Sequence, residues 1–355
     1  MTLYASAPSN IALVKYWGKR NTQHNLPLTS SFSVTLETMR TWVAISPLSD
    51  GPDRWALYGN PKKAMRVLTE ARAFTHNSQP LAISVHNDFP SGAGLASSAS
   101  SMAALAFALD IALNDGNTPL SEVARWARLG SGSAVRSLYP GFVLWEAGQD
   151  PEGRDCIAQS RFHASQLPLD LIACVVDDRT KPIGSTEAME RCRDTSPSYA
   201  QFHARNADDL RRALHALQTQ NLEALGQVSE ENCLAMHAVM HQAQPPIDYF
   251  QDGTHAAIAT VRALRQQGLP CFFTIDAGPN VKVLCPPAYT PALRKALEHT
   301  AGVTRLLFDR VSDSAARQEP TWPAHLPAHP PSNTISPQQT ALLSSTTSFP
   351  PTGAA

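Results

Sequence analysis

Paired cysteines, a surplus of either charge and an uninterrupted apolar run are all missing from this chain. Six cysteines (Cys156, Cys174, Cys192, Cys233, Cys271 and Cys285) lie scattered with no C-x-x-C pair. That argues against a zinc ribbon, a redox dithiol or a disulfide framework, and for a reducing compartment. Lys plus Arg is 29 against 30 for Asp plus Glu, so the basic footprint that a nucleic-acid partner leaves is missing. Lysine itself is scarce: there are seven, and Lys15 and Lys19 stand together in the first twenty residues. In a neutral chain an anionic ligand must be held by a few placed cations rather than by a general field. The uncharged stretch Phe89–Leu109 opens on Pro-Ser-Gly and carries four serines between Ser97 and Ser101. It reads as a buried core helix, not a membrane span. Residues 1–9 lack a basic region followed by an apolar one, so no secretory leader is expected and the cytoplasm is the expected location.

Common enzyme signatures are also absent. Gly18-Lys19 is followed by Arg20, so there is no Walker motif, and Gly92-x-Gly94-x-x-Ser97 lacks the last glycine of the dinucleotide fingerprint. No G-x-S-x-G elbow occurs. His237 and His241 have zinc-ligand spacing, but Ala238 stands where H-E-x-x-H needs its glutamate, and no metal role is assigned to them.

With 43% hydrophobic residues the chain can bury a core. Alternation predicts strands at Ser33–Leu36, Leu81–Val85 and Val281–Leu284, and short apolar runs predict buried strands at Leu171–Val176 and Cys271–Ile275. Helical periodicity covers Ser97–Leu113, Pro119–Leu129, Asp208–Thr219, Leu222–Met240, Gly253–Gln267 and Pro291–His299. Strands and helices do not alternate strictly, which predicts an α+β fold. The loop-rich stretch Gly148–Leu169 is the expected boundary between two halves. After about Asp313, prolines alternate with Ser, Thr, His and Gln, predicting a poorly ordered tail and a folded body that ends near residue 312.

Four short elements carry the chemistry. Pro90–Ser98 lies between a strand and a helix, where glycines admit a ligand to the backbone and the helix offers amides and a positive dipole end to an anion. A tight turn capped by serines fits it equally well. Gly130–Ser137 offers consecutive amides, two hydroxyls and the planar fork of Arg136; the alternative is a glycine helix cap with Arg136 solvated. Lys15–Lys19, if extended, places Lys15, Trp17 and Lys19 on one face and Tyr16 on the other. Thr274–Asn280 puts Asp276 at the end of an apolar strand, as a general base or as a turn acceptor.

Together, and in order, these segments are similar to a known family. Ala7–Arg20, Leu26-Pro27, Ser30–Leu36, Ala93–Ala99, Gly130–Ser137, Gly141–Val143, Gly184–Met189, Thr195–Pro197 and Asp276–Asn280 closely resemble diphosphomevalonate decarboxylases of the GHMP kinase superfamily. The resemblance spans residues 1 to about 310. It implies the GHMP kinase fold, with an N-terminal ribosomal-protein-S5-like half (1–165), a C-terminal α/β-sandwich half (166–312) and the active site in the cleft between them. Residues 313–355 are the tail. The implied reaction uses ATP to phosphorylate the tertiary 3-hydroxyl of (R)-5-diphosphomevalonate, after which phosphate and carbon dioxide leave to give isopentenyl diphosphate.

By the same resemblance Asp276 is the base, Lys15 neutralises the transferring phosphoryl group and Arg136 holds the substrate carboxylate. Tyr16, Trp17, Gly18, Lys19, Ser131, Gly132, Ser133, Ala134, Val135, Ser185 and Thr186 complete the substrate site. Gly92, Gly94, Leu95, Ala96, Ser97 and Ser98 hold the ATP phosphates, with Mg²⁺ bridged by ATP and no fixed protein-only metal site. A homodimer is implied, with no nucleic-acid or membrane partner. Ser100-Ser101-Met102 stands where the family has a smaller pair, which questions local packing, and Lys282 receives no role. The nearest alternatives are a phosphomevalonate decarboxylase or a 3-kinase. More distant ones are a homoserine- or galactokinase-like enzyme and a non-catalytic nucleotide-binding protein that keeps the fold.

Overall fold

The computed structural model describes residues 1–57, 60–90, 94–179 and 181–327. The first half runs β1 (Leu3–Val14), β2 (Lys19–Asn21), β3 (Leu26–Pro27), β4 (Ser31–Pro47), β5 (Arg54–Leu57), α1 (Pro61–Thr75), β6 (Leu81–Asn87), α2 (Ser97–Asn114), α3 (Leu120–Gly130), a 3₁₀ segment Gly132–Leu138, β7 (Phe142–Trp145) and β8 (Ala158–Phe162). The second runs β9 (Asp170–Val175), α4 (Ser185–Thr195), α5 (Tyr199–Ala204), α6 (Asn206–Gln218), α7 (Leu222–His241), α8 (Asp252–Gln266), β10 (Phe272–Thr274), β11 (Val281–Cys285), α9 (Thr290–Leu297), β12 (Arg305–Arg310) and β13 (Arg317–Glu319).

One sheet has the order β13-β1-β4-β6-β5, with β7 and β8 branching from β4. The 17-residue β4 permits this branching: Ser31–Val34 pair with β7 and Thr41–Pro47 with β6. A second sheet has the order β10-β11-β9-β12, all antiparallel. This is the expected α+β arrangement. Helices α1–α3 cover the first sheet through Val67, Leu68, Leu105, Leu109 and Trp126 against Val43, Ile45, Ile83 and Val85.

The end of β1 is apolar on both faces because both are covered. Ile11 and Leu13 join Phe32 and Val34 in a cluster with Leu171, Ala173, Leu217 and Val228. This cluster joins the two halves, each of which also has a cluster of its own: Val43, Ile83 and Leu105 in the first, Ile172, Phe273 and Val283 in the second. α2 is buried almost all round, as a core helix is, and no helix among the described residues is long and apolar enough to cross a membrane. Met102, which questioned the packing here, fills the space that Gly130 of α3 leaves open: a Cβ on Gly130 would lie 2.5 Å from Met102 Sδ.

The expected end of the body near residue 312 needs correction. β13 pairs with β1 through Tyr4↔Glu319 and Ser6↔Arg317, and the ring of Trp322 lies 6.0 Å from that of Tyr4. Arg40 ties the segment down: it is 4% exposed, donates from Nε to Ser6 Oγ at 2.8 Å, and reaches Ser314 Oγ at 2.5 Å and Ala315 O at 2.7 Å. Proline content obscured a short strand whose stability comes from a tertiary partner.

Candidate active site

A cleft of about 660 Å³ opens between the halves. Its lining includes Lys15, Lys19, Lys63, Arg66, Arg136, Arg179 and Lys181 against only Asp178, Glu190 and Asp276. With Lys282 beneath its floor, five of the seven lysines gather here. Such a concentration in a neutral chain is the mark of a polyanion site.

Residues 15–18 lie outside any strand, yet the expected facing is seen: Lys15, Trp17 and Lys19 meet the second half and Tyr16 the first. Lys15, 1% exposed, turns across the cleft and donates to Asp276 Oδ1 at 2.7 Å and to Ala12 O at 2.8 Å. Its own N–H is held by Asn232 of α7 at 2.8 Å, and Asn232 is fixed in turn by Asp209 of α6. Tyr16 turns the other way, edge-on to Trp145 with 5.0 Å between centroids, and a Cβ on Gly132 would lie 2.7 Å from its hydroxyl. That hydroxyl is buried with no hydrogen-bond partner among the described residues, a state that points to a missing ligand. Burial pushes the Tyr16 phenol well above its usual range, so it remains a neutral donor. Trp17 packs among Ile183, Met189 and Phe202 and also lines the cleft.

Asp276 follows β10 and faces cations on three sides. Burial alone would raise its pKa, but Lys15, Lys282 and Arg136 outweigh that and hold the carboxyl down at about 2. The turn-acceptor alternative falls to Asn280 instead. Its Oδ1 accepts from Val176 N at 2.6 Å and Asp177 N at 3.0 Å, and its Nδ2 donates to Asp177 O. Asn280 thus locks the turn that presents Asp276.

Arg136 is 4% exposed, which removes the solvated alternative. It donates from Nε to Asn10 Oδ1 at 3.0 Å and from a terminal nitrogen to Ser31 Oγ at 2.6 Å, over the Trp145 ring. Burial pulls it down to about 10 while Asp276 and Tyr16 oppose the shift, leaving it charged at neutral pH. Ser131, Gly132 and Ser133 line the same wall. Ala134 and Val135 do not; both are buried in the first core, because the 3₁₀ turn points them at α2.

Opposite, Ala96, Ser97 and Ser98 line the cleft. Gly94 and Ala96 both have positive φ (64° and 55°), and Ala96, not a serine, holds the cap position of α2. The first turn of α2 thus faces the cleft. Leu95 is fully buried and Gly18, at φ +148°, packs against Tyr199 rather than the cavity. Gly92 lies outside the described residues. Ser185 and Thr186 begin α4 at the far wall, and Lys19 Nζ reaches Thr186 Oγ1 at 3.4 Å.

Sequence reasoning missed Lys63, Arg66, Arg179 and Lys181. The first two sit on α1, an unexpected helix whose signals were present: Asn60 caps it and Pro61 begins it. Burial first, then Lys63 and Arg66, lowers Lys19 to about 8, with Glu190 opposing. Lys181 donates to Ala277 O at 2.6 Å beside Asp276. His237 and His241 both lie against the Phe250 ring, at 4.3 and 6.2 Å between centroids, and His241 meets Asp248 at 3.0 Å. The donor set suits Mg²⁺ only as a partner of ATP. It offers hydroxyls at Ser97 and Ser98, and no group of three carboxylate, imidazole or thiol side chains among the described residues.

Comparison with known proteins shows the family. Residues 7–158 match the diphosphomevalonate decarboxylase-like N-terminal domain, and residues 171–346 match the mevalonate 5-diphosphate decarboxylase C-terminal domain. The diphosphomevalonate decarboxylase of Ganoderma lucidum is 37% identical over 79% of this chain and 78% of its own length. That of Bos taurus is 36% identical over 78% and 75%. The solved mevalonate diphosphate decarboxylase of Staphylococcus aureus superposes with a TM-score of 0.83 at 32% identity, covering 90% of this chain and 98% of that one. A solved complex of MDDEF with MVAPP, AMPPCP and magnesium gives 0.82 at 34%, covering 90% and 99%. The chain belongs to the diphosphomevalonate decarboxylase family.

Proposed function

We propose that the protein uses ATP to decarboxylate (R)-5-diphosphomevalonate to isopentenyl diphosphate, and that the Lys15–Asp276 pair spanning the cleft is its chemical centre. The tertiary 3-hydroxyl gives its proton to Asp276 as its oxygen takes the terminal phosphoryl group of ATP, releasing ADP. The C3–O bond then breaks and the new phosphate leaves. The C1–C2 bond pair becomes the C2=C3 double bond, and carbon dioxide departs. A carboxylate held near a pKa of 2 is a weak base. It serves because the transferring phosphoryl group is loosely bonded at the transition state, so the proton is accepted late and alignment matters more than basicity.

Lys15 neutralises charge on the transferring group. Arg136, rigid between Asn10 and Ser31, holds the substrate carboxylate bidentately and orients the bond that breaks. Tyr16, Lys19, Ser131, Ser133 and Thr186 bind the diphosphate. Lys63 and Arg66, crowding Lys19, favour two phosphates over one, because their mutual repulsion is relieved most by the more highly charged anion. The first turn of α2 and Lys181 hold the ATP phosphates. Ser97 and Ser98 would meet Mg²⁺, which when bound neutralises phosphate charge. Six free, buried cysteines support a cytoplasmic location; the homodimer rests on the family resemblance and is checked by sedimentation.

The test is to supply Mg-ATP with diphosphomevalonate or phosphomevalonate and follow ADP and carbon dioxide together. Equal yields of both from the diphosphate are expected. ADP without carbon dioxide would replace this reading with a 3-kinase, and a preference for the monophosphate would change the substrate.

A further inference from the structure

Behind the proton acceptor sits a buried lysine that the reaction scheme leaves unused. Lys282 is fully buried in β11, which lies between β10 and β9. It pairs in register with Thr274 and Ala173, so its side chain comes up beside Asp276, two residues past Thr274. Its Nζ donates to Asn280 O at 3.1 Å and lies 3.8 Å from Asp276 Oδ2. Asp276 Oδ1 is the oxygen that Lys15 holds at 2.7 Å. From above, Gly94 closes over the ammonium: a Cβ there would lie 3.3 Å from Nζ. An ammonium buried on one neutral acceptor is costly unless a charge offsets it, and an apolar residue would fill an interior strand at less cost.

We propose that Lys282 is a positioning residue for the phosphorylation step, holding Asp276 Oδ2 while Lys15 holds Oδ1, so that the carboxylate stays ionised and fixed between two ammonium groups. This rests on Asp276 as the proton acceptor. The charged or titratable groups around Lys282 are Asp276, Lys15, Lys181 and Cys233; burial, with Lys15 and Lys181, lowers it to about 8, while Asp276 and Cys233 oppose the shift. Arg136 also faces the carboxylate. Since Lys282 depresses Asp276, its removal shifts the carboxyl upward.

In the free enzyme the Asp276 carboxyl is held down at about 2, so the acid limb of kcat/KM that it controls lies far below neutral pH. Lys282→Met is expected to move that limb upward in pH, with Lys15 and Arg136 still opposing the shift. It should also lower kcat by roughly tenfold or more while KM for both substrates stays within about twofold. Lys282→Arg keeps the charge and should restore the wild-type acid limb. A second readout needs no substrate: unfolding midpoints of wild type, Lys282→Met, Asp276→Asn and the double variant. Lys282→Met should lower the midpoint of wild type and raise it in the Asp276→Asn background, where the ammonium has lost its partner. Equal shifts in both backgrounds, or an unchanged acid limb and kcat in Lys282→Met, would overturn the proposal and leave Lys282 a core residue. Neither outcome touches the reaction assignment, which stands or falls on carbon dioxide release.

Discussion

Lys19 shows how the charge of one residue is set by its company. In the free protein, burial together with Lys63 and Arg66 lowers it to about 8, so near pH 8 about half of it is neutral. A diphosphate against it favours the ammonium, and binding there should take up a proton. Calorimetry in buffers of different ionisation enthalpy at pH 8 should detect that uptake, and Lys19→Arg should abolish it. Asp276 has the opposite sign. Its folded pKa near 2 lies below the ordinary 3.8, so its pairs contribute stability above about pH 4 that is lost as pH falls towards 2. Asp276→Asn should therefore flatten the acid dependence of the unfolding midpoint. It should also reduce turnover by roughly 10²–10⁴-fold while leaving ATP affinity largely intact; wild-type turnover would remove Asp276 from the mechanism.

Among the elements, the 3₁₀ turn after α3 decides most about the wall of the cleft. It sends Ser131, Gly132 and Ser133 to the cleft, Ala134 and Val135 to the core, and Arg136 back towards the carboxylate. Gly132 is the tight point, because any Cβ there meets Tyr16. Gly132→Ala should displace the Tyr16 hydroxyl and raise KM for the diphosphate substrate about tenfold, the worth of one hydrogen bond to a charged group. ATP affinity should be nearly unchanged. Equal losses for both ligands would mean that the whole turn had moved.

On the scale of the whole molecule, the segment after residue 312 is part of the fold. Ending the chain there would leave Arg40 buried without Ser314 and Ala315 and would strip β1 of its outer neighbour. Two lost bonds to a buried guanidinium cost roughly 3 kcal/mol or more, so Tm should fall by about 5 °C or more. Replacing Arg40 by Met in the shortened chain should recover part of the loss; no recovery would show that the strand, not the guanidinium, carries the effect.

The fold class and the long elements were legible in local pattern, since α2, α3, α6, α7 and α8 all fall where periodicity places them. α1, β1 and β13 were not. α1 needed its cap and proline weighed together, and β1 and β13 are strands because of what lies beside them. The Asp276 turn and the Gly130–Ser137 loop were visible as motifs, but each kept an ordinary alternative until burial was known. By itself, the sequence determined composition, periodicity and the order of the motifs, which are properties of the chain read along its length. Only the tertiary structure decided that Lys15 crosses from one half to meet Asp276 in the other, and that Lys63, Arg66 and Lys181 join them. It alone brought Lys282 up behind the same carboxylate. Distances between residues far apart in sequence are set by strand register and shared cores, and no local pattern encodes them.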